Sequence, residues 1–281
     1  MIVSSITSGL GNQLFQYAFG RALSLYHSVP LKTDLYWFQH EQNTSHRKYG
    51  LTHFNIQAPE ATWQELDTYI FADTKWHRLT RPYYKRIRIE ERSNKYDANV
   101  WKFPKHTYVL GFWQAWRYFA DYHAPIREEF QIITPPSDQA ARYLDQMSRG
   151  TSVSVHIRRG DYLTNPTFNT LTPEYYQRAI SYLQERYESL NWFVFSDDMP
   201  WVQENITLPE STTLVKGLSD IDDFRLMNAA RHSIIANSTF SWWAAWLKET
   251  GDHVIVAPQT PFTHEWLWSG DDLFPPHFVR L

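Results

Sequence analysis

The chain of 281 residues contains no cysteine. That absence excludes disulfide bonds, thiolate metal sites and a cysteine nucleophile. Long apolar runs are missing too: no stretch approaches the ~20 residues a membrane-spanning helix needs. The opening MIVSSITSGLGNQ has neither the basic leader nor the apolar core of a signal peptide, so the expected location is the cytoplasm. An excess of one charge is also lacking. Lys and Arg number 27 against 30 Asp and Glu, a formal net charge of −3, which gives a nucleic-acid binder no basic footing. Hydrophobic residues at 43% supply a sizeable core and exclude wholesale disorder. The length suits one large α/β domain or two small ones. What is abundant is aromatic: 13 Trp, 17 Tyr and 17 Phe. Most such rings are expected in the core, with a minority on the surface to serve as platforms.

The near-neutral total hides a split. Residues 1–150 carry 18 Lys and Arg against 14 Asp and Glu, and residues 151–281 carry 9 against 16. In the second half, apolar runs recur at 152–157, 192–196, 212–215, 233–236 and 253–257, with helical patterns between them. Near-continuous apolar strands alternating with helices predict a parallel sheet covered on both faces. Pro173 after Thr172 reads as a helix start, with Thr172 at the N-cap. The first half begins alike, with a strand at 1–6, a glycine turn at 9–13, a helix from Leu14 to Tyr26 and a strand at 29–33. From about 40 to 105 the pattern dissolves into aromatic, basic, irregular sequence. Order returns at 108–112, and a helix is predicted over 137–147. Two units are therefore expected, 1–150 and 151–281, divided near the polar stretch SRGTS.

The sharpest segment is VSVHIRRGDYL at 153–163, an apolar strand running into His156, Arg158, Arg159, Gly160 and Asp161. Ligands of such sheets sit beyond the carboxyl ends of the strands, so these side chains are expected at a cleft. The planar fork of Arg158 suits a phosphate or carboxylate. Arg159 and Asp161 read as a pair capping the turn. In the glycine turn, Gly9 and Gly11 precede a helix, an ordinary place for an anion, and Asn12 and Gln13 add neutral donors. Polar groups also follow two other strands: Ser196, Asp197 and Asp198, then Asn237, Ser238, Thr239, Phe240 and Ser241. The latter group also reads as simple helix capping. Asp220 and Asp222 have the spacing of a D-x-D metal site, but they open a helix, where acids favour the dipole.

Together GLGNQLFQYAFGRAL, HIRRGDY, FSDD and ANSTFSWWAAWL resemble the bacterial members of glycosyltransferase family 11, the galactoside α-1,2-fucosyltransferases. The four blocks keep the same order from residue 8 to 247, and 40–105 has no comparable match. The resemblance implies a GT-B-like fold, two Rossmann-like lobes whose parallel sheets face an inter-lobe cleft. It assigns acceptor binding to 1–150 and GDP-fucose binding to 151–281. It further implies GDP-β-L-fucose as donor, inversion at the anomeric carbon, no required metal or other cofactor, and a galactose-terminated acceptor such as lactose. Under it Arg158 neutralises the departing β-phosphate, helped by Gly11, Asn12 and the loop from Ser238 to Ser241. His156 and Asp197 lie at the nucleotide, and Asp223 or Asp222 reads guanine, whose N1–H and N2–H are donors an acid accepts. Asp161, the carboxylate nearest the motif, is the candidate general base, with Asp197 and Asp198 as alternatives.

Trp37, Trp63, Trp113 and Trp116 are candidate sugar platforms. The run from Lys75 to Arg92 holds seven Lys and Arg among aromatics, a solvated face or a peripheral membrane contact. The competing functions are another fucosyltransferase with the same arginine motif, such as an α-1,6 enzyme, a metal-dependent sugar transferase using Asp220 and Asp222, and a non-catalytic sugar-binding module.

Overall fold

Strand β1 (Ile2–Ser5) forms where the sequence is apolar and short, and all four of its residues are buried. The computed structural model describes residues 1–39, 47–70, 87–164, 171–248, 251–262 and 269–281. Internal packing divides the chain into two units, Met1–Ile133 and Thr134–Leu281.

In the first unit, β1 leads through the glycine turn into α1 (Leu10–His27), which ends where Ser28 turns left-handed and returns its N–H to Leu25 and Ser24. Then come β2 (Leu31–Asp34), α2 (Tyr36–Gln39), α3 (Trp63–Ile70), β3 (Ile87–Glu90), β4 (Thr107–Leu110) and α4 (His123–Glu129). The strands make one parallel sheet in the order β2-β1-β4-β3. Strand β3 lies within the stretch expected to be irregular. It has four residues, with Arg88 and Glu90 exposed, so too little apolar pattern marks it, and pairing to β4 creates it.

The second unit starts with α5 (Asp138–Ser148), capped by Ser137, and continues with β5 (Thr151–Ile157), α6 (Pro173–Gln184), β6 (Leu190–Ser196), α7 (Met199–Asn205), β7 (Thr212–Leu214), α8 (Asp220–Ala229), β8 (His232–Ile234), α9 (Thr239–Trp246), β9 (Ile255–Ala257), α10 (Gly270–Leu273) and β10 (Val279–Arg280). Its six strands are parallel in the order β10-β9-β8-β5-β6-β7. Strand β5 is central, and six of its seven residues are buried, as a sheet covered on both faces requires. Pro173 opens α6 as expected, although Thr172 makes no side-chain cap bond.

The division falls before α5 instead of near residue 150, because α5 packs on α8 and β5. The aromatic surplus is largely core. Trp242, Trp243 and Trp246 of α9 are each at most 6% exposed, and Phe19 stacks on Trp113 with centroids 4.0 Å apart. Among the described residues no helix is long and apolar enough to cross a membrane. In the basic run, Lys75 to Arg86 lie outside the described residues.

Candidate active site

Strands β8, β5 and β6 are neighbours in the second sheet, so the segments after them share its carboxyl end. His156 is the penultimate residue of β5 and is buried. Burial and the Arg158 charge push its imidazole pKa down to about 3, which keeps the ring neutral near pH 7. Its Nδ1 is buried without a hydrogen-bond partner among the described residues.

Arg158 follows directly. It donates from Nε and Nη2 to Asp161 Oδ1 at 3.1 and 2.7 Å, and its Nη1 lies 3.0 Å from Asp197 Oδ2. The expected Arg159–Asp161 pair does not form. Arg159 instead donates to Asp198 Oδ2 at 3.1 Å and lies over the Trp201 ring, 3.7 Å from its centroid. Alternation along the extended backbone explains the exchange, since successive side chains leave on opposite faces. The 3₁₀ turn from Gly160 to Leu163 then folds Asp161 back towards Arg158.

Asp197 does more than pair with Arg158. Its Oδ1 accepts the backbone N–H of Arg159 at 2.9 Å, and a methyl group on Gly160 would meet its Oδ2 at 2.5 Å. Asp198 also caps α7 by accepting from Trp201 N. The two acids after β6 thus brace the two arginines after β5, which makes Asp197 a positioning residue for the turn. Spacing alone could not reveal this, because 38 residues separate the partners.

Ser238 caps α9, accepting from Phe240 N at 3.4 Å, and its carbonyl accepts from Ser241 Oγ. The capping expectation is therefore met, and Thr239 and Phe240 remain partly exposed. Tyr162 O–H donates to the Asn237 carbonyl at 3.4 Å, tying the arginine turn to this loop. Phe240 lies 6.1 Å from His156 and 5.4 Å from Phe224 of α8. This ring chain brings the start of α8 to the same region. There Asp222 is buried and paired with Arg225 at 3.5 Å, while burial, Asp220 and Asp222 push Asp223 up to about 7.

In the first unit, Ser8 turns left-handed and Gly9 caps α1 without a side-chain bond. Gly11 is buried, and Asn12 Oδ1 accepts from Gln114 Nε2 at 2.9 Å. Gln13 leaves the set of ligand donors. It donates to the Ser8 and Lys48 carbonyls and accepts from Gly50 N, so it staples loops. Of the four tryptophans, Trp113 is 3% exposed and stacked in the core, a correction to its candidacy as a platform. Its ring stacks on Phe19 of α1, a contact between residues distant in sequence that local pattern does not show. Trp37 and Trp116 are half-buried, and Trp63 is 54% exposed.

The model of glycosyl transferase family 11 matches residues 10–280. An Escherichia coli α-1,2-colitosyltransferase is 36% identical over 100% of this chain and 99% of its own. The E. coli O-antigen biosynthesis glycosyltransferase WbnK is 29% identical over 92% and 94%. A rabbit (Oryctolagus cuniculus) galactoside α-(1,2)-fucosyltransferase is 29% identical over 78% and 61%. Among solved structures, NodZ α-1,6-fucosyltransferase soaked with GDP-fucose superposes with a TM-score of 0.53, 13% identity and coverage of 88% and 92%. Such likeness shows the fold, a GT-B-like pair of parallel α/β sheets.

Proposed function

Because the chain belongs to glycosyl transferase family 11, we propose that it is an inverting galactoside α-1,2-fucosyltransferase. It moves L-fucose from GDP-β-L-fucose to the 2-hydroxyl of a terminal β-galactoside such as lactose. The family and its relatives are glycosyltransferases, which removes the sugar-binding module. The observation that carries the reading is Arg158, held at the carboxyl end of the central strand by Asp161 and Asp197.

As the acceptor oxygen bonds to the anomeric carbon, the bond from that carbon to the β-phosphate oxygen breaks and negative charge gathers on GDP. A preorganised guanidinium stabilises that charge, so the transfer needs no metal in this proposal. The arriving phosphate competes with Asp161 for Arg158. Asp161 is thereby released to take the proton of the acceptor hydroxyl. Asp223 reads guanine: a partly buried carboxyl pushed towards neutrality gains from the two base donors what burial withholds. Asp222, already paired with Arg225, leaves that task to its neighbour. His156 and the segment from Ser238 to Ser241 complete the donor site within the second unit, and the first unit takes the acceptor. The proposed setting is the cytoplasm, with peripheral membrane contact through Lys75 to Arg92, which co-sedimentation with anionic vesicles tests.

A second donor is favoured by one observation, the whole-length similarity to the colitosyltransferase. Colitose is L-fucose without its 3-hydroxyl, so the same reaction accommodates either sugar. GDP release measured with lactose and either GDP-fucose or GDP-colitose, with and without EDTA, tests the reading. Faster turnover of GDP-fucose, undiminished by EDTA and giving an α-1,2 linkage, is the expected result. Faster GDP-colitose turnover moves the donor, an α-1,6 product moves the linkage, and loss in EDTA restored by Mn²⁺ removes the Arg158 mechanism.

A further inference from the structure

The first sheet changes its direction of growth at one place. From β1 the chain passes through α1 to β2 on one side, whereas β4 lies against β1 on the other. Ligands of open parallel α/β sheets sit in the crevice outside the carboxyl ends of the two strands at such a switch point. In the second sheet that pair is β5 and β8, and the segments after them run from Arg158 to Asp161 and from Asn237 to Ser241. In the first sheet the pair is β1 and β4, so the turns after Ser5 and after Leu110 border its crevice.

Hydrogen bonds join these two turns. Gln16 Nε2 donates to Thr7 Oγ1 at 2.9 Å and to the Gly111 carbonyl at 3.1 Å, and Gln114 Nε2 donates to Asn12 Oδ1 at 2.9 Å. The turn after β4 has an unusual backbone, with φ of +155° at Gly111 and +54° at Trp113. Glu91, the residue after β3, sets that shape. Its Oε2 accepts the N–H groups of Phe112 and Trp113 at 2.6 and 3.0 Å, and a Cβ on Gly111 would meet the Glu91 Cβ at 2.4 Å. Its Oε1 is buried and bonds nothing among the described residues, so the bonding of the carboxyl is directed to the turn. Trp113 anchors the turn in the core by stacking on Phe19, while Phe112 beside it stays 38% exposed. Carbonyl, ring and amide thus fix Gly111, Trp113 and Gln114, and the ring of Phe112 is the part of the turn presented outward.

Strained backbone persists where the surrounding structure over-determines it, and such places cluster at ligand clamps. Beside the Phe112 ring, the turn after β1 and the start of α1 offer the neutral, partly exposed side chains of Thr7, Ser8 and Asn12. Sites that orient small ligands combine apolar surface with a few placed polar groups. A sugar ring has the matching halves, a face of C–H groups and a rim of hydroxyls. We propose that the switch-point crevice of the first sheet binds the terminal galactose ring of the acceptor, with Phe112 as the ring it packs on and Glu91 as the positioning residue that holds Phe112 there. The inference rests on the reading of the chain as a transferase to a galactose-terminated glycan.

Steady-state kinetics with lactose and GDP-fucose, together with saturation-transfer NMR of lactose without donor, test this. Phe112→Ala should raise the lactose KM about ten-fold, the loss of one ring's apolar contact, and remove most of the saturation transfer. The GDP-fucose KM should not change. Phe112→Tyr keeps the ring and should stay near wild type. Glu91→Ala removes the acceptor of both N–H groups and should reproduce the lactose-only rise, whereas Glu91→Gln keeps an acceptor and should restore the wild-type KM. Glu91→Asp, too short to reach both groups, gives the same reading if Glu91→Ala does not fold by circular dichroism. An unchanged lactose KM in Phe112→Ala overturns the crevice, as do equal rises in both KM values or a wild-type protein that gives no lactose signal. Normal lactose KM values in Glu91→Ala and Glu91→Asp overturn the positioning role. If GDP-fucose is never turned over while lactose binding still depends on Phe112, the functional reading falls and the crevice stands. Normal turnover with indifferent Phe112 variants removes the crevice alone.

Discussion

Arg158, which in the proposed reaction meets the departing GDP, has its fork held by three contacts with Asp161 and Asp197. Removing it should lower the turnover of GDP-fucose by about 10²–10³-fold. Arg158→Lys should recover little, since an ammonium cannot engage both acids and a phosphate at once. Gly160 offers a subtler check. Its Cβ would have to occupy the space of Asp197 Oδ2, so Gly160→Ala must displace either the turn or its brace. The expected outcome is a fall in kcat on the order of 10²-fold from a small misplacement, with the melting temperature moving only about 2 °C because the site is exposed. A large loss of stability with normal kcat would show that the turn does not position Arg158. The arginine motif itself was legible in sequence, but the exchange of partners between Arg159 and Arg158 was not, since it depends on where a second strand ends.

At the scale of elements, the start and the end of α8 are secured differently. Ser219 caps its beginning, a signal local sequence can show. Its end is held by Lys248, fully buried after α9, whose Nζ donates to the carbonyls of Met227, Asn228 and Ala230 at 2.7, 3.0 and 2.5 Å. The last carbonyls of a helix lack intrahelical partners, and a lysine just past the end of the next helix supplies them. Lys248→Met keeps the bulk and removes the donors, leaving buried carbonyls unsatisfied. Urea denaturation should show a loss of about 3 kcal/mol, and the melting temperature should drop by several degrees. In the proposed reaction Asp223 at the start of α8 reads guanine, so GDP affinity should weaken as well. Strand β3 shows the same limit of local reading: its four residues become a strand only because β4 offers them an edge.

For the whole molecule, buried titratable groups set opposing pH dependences. His156, pushed down to about 3, binds fewer protons folded than unfolded, so its contribution is lost as pH falls from about 6.5 towards 3. Glu91 goes the other way. Burial pushes it up to about 7, although the N–H groups of Phe112 and Trp113 donate to it at 2.6 and 3.0 Å. Asp223 is likewise raised to about 7. These acids bind more protons folded than unfolded, so their contribution is present at low pH and is lost as pH rises through about 4 to 7. Two acids outweigh one histidine between about pH 4.5 and 6.5, so with these groups stability measured by urea denaturation should peak at about pH 4 and decline towards pH 7. Glu91→Gln keeps an oxygen for both N–H groups and should flatten the decline on the alkaline side. A decline unchanged in that variant would assign it elsewhere.

Length, apolar rhythm and the order of four blocks were enough to determine two parallel α/β units and the family, because strand periodicity and motif chemistry are written locally. All eight expected strands, and the helix start at Pro173, depend on residues within one turn or strand of themselves, whereas α1 begins at Leu10 and not at the expected Leu14. Tertiary structure decided the rest. It moved the division of the chain to Ile133, since α5 finds its packing partners downstream. It sorted the aromatic surplus into buried rings such as Trp113 and an open one, Trp63. It also paired Arg158 with Asp161 and Asp197. Each of these depends on contacts between residues distant in sequence, where burial and charge pairing select among arrangements that local pattern leaves equal.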